Sequence, residues 1–198
     1  MQNPLMQRLV ALLTCHNRRD KTLACLRALH ENLRFCHLSV DVLLVDDGSS
    51  DGTAASVAER FPSVHLIQGD GTLFWAGGMR VAFQEALARD YDYYLFLNDD
   101  TLLYPNALEC LWRAAGELKR ASGSDAVAVG STRNAQTGAT TYGGLRRMSR
   151  WHPLNLQLIN PSDASIPCDT MNTNCVLVPR VIARAETRWL KGKSSNTR

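Results

Sequence analysis

Long apolar runs are missing from this chain of 198 residues. The longest, Leu9 to Leu13 and Tyr93 to Leu97, are strand-sized and far short of the ~20 residues a membrane-spanning helix needs. Arg8 and the apolar run after it read as a poor signal peptide, because the run is too short and Arg18-Arg19 follow it closely. No two of the six cysteines (15, 25, 36, 110, 168 and 175) are spaced as C-x-x-C, which argues against zinc and redox motifs and for buried free thiols in a reducing compartment. The dinucleotide fingerprint fails, since no third glycine follows Gly69-x-Gly71, and no phosphate-loop or serine-hydrolase motif occurs. Positive charge is scarce outside the last residues. Positions 1–179 carry 16 basic and 18 acidic residues, and the excess sits at Arg180, Arg184, Arg188, Lys191, Lys193 and Arg198. The basic pI therefore belongs to the tail and gives no sign of a nucleic-acid-binding body; the tail reads as a solvated end, with contact to an anionic membrane or acceptor as the alternative. The result is a soluble, cytoplasmic chain, one domain in length.

What is present is alternation. Leu9 to Thr14 reads as a buried strand, and Asp20 as the cap of a helix with apolar residues at Leu23, Leu26, Leu29 and Leu33. Val40 to Val45 and Val64 to Ile67 are strands, with a short helix from Thr53 to Arg60 between them that Pro62 stops. A Gly-rich loop from Gln68 to Gly78 precedes a helix from about Met79 to Arg89. Tyr93 to Leu97 is a fourth strand, Pro105 fits the first turn of a helix reaching about Arg120, and Ala126 to Val129 is another strand. Ser131 to Ser165 reads as a loop-rich region, before Met171 to Val178 resumes a strand-like run. Strands separated by helices at this spacing predict an α/β domain with a mainly parallel sheet.

Three polar turns each follow one of these strands, at the sheet edge where open α/β sheets bind ligands. Asn98-Asp99-Asp100 places two carboxylates side by side, which is costly unless a cation or donors neutralise them. Carboxylate and amide oxygens suit Mg²⁺ or Mn²⁺, although a helix-capping turn would use the same residues. Asp46-Asp47-Gly48-Ser49-Ser50-Asp51-Gly52 can accept hydrogen bonds from a base or ribose, or form a plain turn before a helix. In Thr14-Cys15-His16-Asn17-Arg18, the arginine is a candidate phosphate ligand. Trp75 and Trp151-His152-Pro153 offer aromatic faces to a sugar or base, or simply pack.

Together with Gly77-Gly78-Met79-Arg80, Pro105 and Asn172-Thr173-Asn174-Cys175-Val176-Leu177-Val178, these turns resemble, in order, the inverting family-two glycosyltransferases of the GT-A fold, which include bacterial rhamnosyltransferases. The resemblance covers about residues 8 to 180. It implies a Rossmann-like three-layer α/β/α domain over residues 1–190, with a nucleotide-binding half at 1–130 and an incomplete sugar and acceptor region at 131–180. Residues 191–198 are expected to be a disordered tail.

The resemblance also implies roles. Thr14, Asn17 and Arg18 would line the nucleotide pocket, and Asp46 or Asp47 would hold the base or ribose. Gly77, Arg80 and backbone N–H groups would approach the diphosphate. Asn98, where many members have an aspartate, would bond a ribose hydroxyl beside Asp99, and Asp100 would bind the metal. The donor would be a nucleoside-diphosphate sugar and the acceptor a saccharide or a lipid-linked saccharide. The setting implied is surface-polysaccharide synthesis at the inner face of a bacterial membrane. Family members place the acceptor-activating base in an acidic motif beyond the strand matched by Cys175 to Val178. Only Glu186 follows here, so the sequence assigns no base and suggests a C-terminally truncated or altered chain. The alternative is a nucleotide-binding module without transferase activity. A Rossmann-type oxidoreductase ranks third.

Overall fold

The computed structural model describes residues 7–34 and 39–185. Along the chain run β1 (Arg8–Cys15), α1 (Arg19–Leu33), β2 (Ser39–Asp46), α2 (Thr53–Arg60), β3 (His65–Gln68), α3 (Phe74–Leu87), β4 (Tyr93–Leu97) and α4 (Ala107–Ser122). Seven shorter strands follow: β5 (Ala128–Val129), β6 (Thr132–Arg133), β7 (Thr140–Tyr142), β8 (Gly144–Arg147), β9 (Leu156–Leu158), β10 (Thr170–Met171) and β11 (Cys175–Pro179). The main sheet has the order β3-β2-β1-β4-β11-β5. Its first four strands are parallel, while β11 runs antiparallel to both β4 and β5.

Alternation along β1 explains the layering. Leu9, Ala11 and Leu13 join α1 residues Leu23, Leu26 and Leu29 and α4 residues Leu108 and Ala115 on one face. Val10 and Leu12 face the other way, onto Met79, Ala82 and Ala86 of α3 with Tyr91 and Tyr94. A strand covered on both faces can be apolar throughout, as β1 is from Leu9 to Leu13. The expected GT-A-like three-layer domain with a mainly parallel central sheet is therefore present.

Several expected boundaries move. Arg18 occupies the N-cap position of α1, without a capping side-chain bond, and Asp20 lies inside the first turn. Pro105 precedes Asn106, the N-cap of α4, so it sits just outside the helix. The helix expected from Met79 begins at Phe74, which places Gly77 and Gly78 inside α3. The reason is proximity: a Cβ on Gly78 would lie 2.1 Å from Thr14 Oγ1, so only a glycine lets this helix sit so close to β1. The supposedly loop-rich stretch holds two small antiparallel sheets, β10-β8-β9 and β6-β7. Cys15, Cys25 and Cys175 are buried free thiols as expected, but Cys110 and Cys168 are exposed. Among the described residues no helix is long and apolar enough to cross a membrane. Lys191 to Arg198 and Glu186 lie outside the described residues, and so does the membrane contact expected of the tail.

The sheet's lower edge is tied by ions. Arg180, directly after β11, donates to the Tyr91 carbonyl oxygen at 2.7 Å and pairs with Asp90 at 3.1 Å and with Asp92. Asp92 also accepts the Arg8 backbone N–H at 2.8 Å, and Tyr91 Oη donates to Asp41 at 2.7 Å. The opposite edge, at the C-terminal ends of the parallel strands, is thereby left to the polar turns.

Candidate functional site

Strand order reverses between β1 and β4, since β2 and β3 lie to one side of β1 and β4 to the other. Ligands of open α/β sheets bind at such a switch point. The turn after β1 carries Arg18 and the turn after β4 carries Asn98, Asp99 and Asp100. One guanidinium joins them across the gap, donating through Nη1 to Asp99 Oδ1 at 3.2 Å and through Nη2 to Asp100 Oδ2 at 2.5 Å. The two carboxylates are not equivalent. The Asp99 side chain is 5% exposed and that of Asp100 is 37% exposed, so only Asp100 faces the gap. Asp99 Oδ2 also accepts the hydroxyl of buried Thr22 at 3.2 Å. Burial pushes the Asp99 carboxyl above the usual range, against the opposing pull of Arg18. Asp99 thus positions the turn, and Asp100 is the group able to meet a ligand.

The pair after β2 also divides. Asp47 accepts the Gly71 N–H at 2.9 Å on one oxygen and the Phe74 N–H at 2.8 Å on the other. It acts as the anion at the N-terminus of α3 and fastens the loop after β3. Asp46 accepts the Ser49 N–H at 3.0 Å on Oδ1, while its buried Oδ2 has no partner. A buried unpaired carboxylate oxygen is costly, and within the pair Asp46 is the member that carries one. Asn17, at φ +50°, accepts the Ser50 N–H at 2.8 Å and gives its own N–H to Ser49 Oγ at 2.9 Å. It holds the β1 and β2 turns together. Thr14 is buried beneath α3, against Gly78.

Two further expectations fare differently. Arg80 was placed at a helix start but sits in the second turn of α3, exposed, because the helix begins earlier. Gly77 belongs to the first turn, its N–H bonded to the Leu73 carbonyl at 3.0 Å. Trp75 stands in the same turn and donates through Nε1 to Asn98 Oδ1 at 3.0 Å, so the ring reaches across to the β4 turn. Phe74 beside it holds φ +54°, a left-handed conformation that costs an aromatic residue roughly 1 kcal/mol. Sequence reading misses Thr22, and it places Asp51 in the acceptor turn without its partners. Asp51 accepts the Arg19 N–H at 2.9 Å and the Thr53 hydroxyl at 2.5 Å, tying α1 to α2. The bonds from Thr22 to Asp99 and from Arg19 to Asp51 join residues distant in sequence, which no local pattern reports.

Among the described residues no group of three His, Cys, Asp or Glu side chains could hold a metal ion. The donor set still fits one mode of binding. Mg²⁺-type ions are commonly held by one or two carboxylates, with substrate phosphates and water completing the shell. Asp100 supplies one such carboxylate, and the Arg18 guanidinium already occupies a cation's place beside it.

Fold and site together define a GT-A-like α/β domain with polar turns gathered at its topological switch point. Residues 11–177 match the family described as Glycosyl transferase family 2, and the chain belongs to it. No curated protein gives a significant match. Similar solved structures include the mannosyltransferase PcManGT from Pyrobaculum calidifontis in complex with GDP-Man and Mn²⁺, at 20% identity and TM-score 0.43, covering 58% of this chain and 33% of that one. Residues 1–349 of S. aureus TarS match at 22% identity and TM-score 0.47, covering 57% and 33%. The complex of that fragment with UDP-GlcNAc matches at 21% identity and TM-score 0.48, covering 57% and 32%. The chain spans about a third of the length of the structures it matches.

Proposed function

We propose that this chain transfers a sugar from a nucleoside-diphosphate sugar to a saccharide or lipid-linked acceptor, with inversion, in rhamnosyltransferase-like synthesis of bacterial surface polysaccharide at the cytoplasmic face of the membrane. The observation that carries the reading is the Arg18–Asp99–Asp100 arrangement across the switch point of a family-two domain. In this reading a donor diphosphate and its metal would meet at this cation and these carboxylates. The donor base or ribose would bond Asp46, whose Oδ2 is unpaired, rather than Asp47, whose oxygens are both engaged. Thr14 would act from beneath, by fixing the approach of α3, and Asn17 by fixing the pocket wall. Trp75 and Asn98 would border the ribose, and Arg80 would reach the diphosphate from the exposed side of α3.

In this reading Asp100 would hold Mg²⁺ or Mn²⁺ together with the diphosphate, and the ion would neutralise charge developing on the leaving group. The bond between the anomeric carbon and the diphosphate oxygen breaks as the acceptor oxygen attacks from the opposite face. Arg18 would turn from Asp100 toward a diphosphate oxygen, exchanging one anion for another within the cleft. The acceptor proton must pass to a base, and no described residue is assigned that task.

Calorimetric titration with UDP, dTDP, GDP and NAD, each with and without Mn²⁺, tests the proposal. Diphosphate binding should require Mn²⁺ and fall at least tenfold in Asp100→Ala. Arg18→Gln should raise Mn²⁺ uptake measured by electron paramagnetic resonance without nucleotide, because a competing cation is gone. Metal-independent binding of NAD would overturn the reading. Donor binding without sugar transfer would mark the alternative, a nucleotide-binding module.

A further inference from the structure

The hairpin β8–β9 carries two kinds of group that the proposed sugar transfer does not use. The first is apolar. Trp151 is 86% exposed, Leu154 90% and Met148 54%, all in or beside one turn. The turn has an ordered hydrogen-bonded frame. Met148 N–H donates to the Asn155 carbonyl and Asn155 N–H to the His152 carbonyl, each at 2.9 Å. Ser149 Oγ accepts the N–H groups of Trp151 at 3.2 Å and His152 at 3.1 Å. Trp151 and Leu154 are therefore held in water by backbone geometry, although burying either would be worth roughly 1.5–3 kcal/mol.

The second is cationic. Arg146, Arg147 and Arg150 are exposed, and no ion pair or hydrogen bond engages their guanidinium groups among the described residues. No aspartate or glutamate occurs anywhere from Ala126 to Ser162. This basic segment belongs to a body that is otherwise slightly acidic, so its charge is concentrated at the hairpin.

We propose that the β8–β9 hairpin docks this chain on an anionic lipid surface. Trp151 would sit at the headgroup level, where an amphipathic ring is favoured, with Leu154 and Met148 entering the acyl boundary. Arg146, Arg147 and Arg150 would face lipid phosphates. Charge complementarity selects this occupant. A second copy of the chain would bring two sets of unpaired arginines together. A nucleic acid would stack on Trp151 but leave the aliphatic Leu154 and Met148 in water. The proposed sugar transfer plays no part in this inference.

Co-sedimentation of the full chain with vesicles tests it, using phosphatidylcholine alone and phosphatidylcholine mixed with phosphatidylglycerol. The chain should pellet with the mixed vesicles only, and release as salt rises. Each Arg→Gln change at 146, 147 or 150 should weaken binding about fivefold. Trp151→Ser with Leu154→Ser should weaken it at least tenfold while the circular dichroism spectrum and Tm stay unchanged. Brominated acyl chains should quench fluorescence in the native chain and less in Trp151→Phe. Binding that survives the Trp151/Leu154 pair would assign the membrane contact to the basic tail and overturn the proposal. So would equal binding to both vesicle types, hairpin-dependent binding to single-stranded RNA without vesicle binding, or a Trp151-dependent dimer in sedimentation velocity.

Discussion

Adjacent aspartates at the end of β2 have separate tasks because their four oxygens meet different surroundings. Asp47 spends both on backbone N–H groups of the loop after β3, and Asp46 keeps one unpaired. Asp47→Asn would oppose an amide N–H to either Gly71 or Phe74. We expect a loss of about 1–3 kcal/mol, read as a drop in urea midpoint with the slope preserved. Sequence pattern identified the pair but not the division. The partners Gly71 and Phe74 lie some distance along the chain, and the alternation of a strand says nothing about side chains beyond its end. The same holds for Arg18. Its type suggested phosphate, yet here its guanidinium neutralises Asp99 and Asp100. An arginine serving both carboxylate and phosphate needs only one fork geometry.

Among elements, α3 departs most from what periodicity suggested, and the reason is packing. Gly77-Gly78 reads as loop chemistry, since two glycines weaken a helix by roughly 1 kcal/mol each. Contact with β1 offsets that weakness, because no side chain stands between Gly78 and Thr14. Gly78→Ala should improve local helix propensity yet lower Tm by several degrees, since the added methyl meets Thr14 Oγ1 and Cβ. Thr14→Ala in the same chain should recover part of the loss, as differential scanning calorimetry would show. The major strands and α2 were legible because each is long enough to show its period or is bracketed by Gly and Pro. β6 to β10 were not, because strands of two to four residues show no reliable alternation. Chain-distant pairing, such as Thr170 with Leu145, makes them strands.

At the scale of the molecule, the two edges of the main sheet have opposite jobs: polar turns gather above, and ions clamp below. Burial, aided by the bond to Asp41, pushes the Tyr91 hydroxyl up to about 12. Below about pH 10 the folded and unfolded chains both keep that proton. Above it the unfolded chain loses the proton first, so stability should fall between about pH 10 and 12. Tyr91→Phe should make that decline shallower in chemical denaturation at stepped pH, with Tyr93 and Tyr94, also raised by burial, supplying the remainder. The antiparallel strand β11 has a consequence in time. Among the described residues β5 has no sheet neighbour except β11, which also covers the outer side of β4. On the ribosome, residues 128–129 therefore emerge with nothing to pair with, and β4 presents a naked flank until Cys175 arrives. Pulsed hydrogen exchange during refolding should show the Gly130 amide, which donates to the Cys175 carbonyl at 2.8 Å, and the Asn98 amide, which donates to the Asn174 carbonyl at 3.0 Å, gaining protection together, after those of β1 and β2. Protection of Gly130 ahead of Asn98 would contradict that order. In the interval the nascent chain offers a ready template for a foreign strand, the stage at which a chaperone would have most to do.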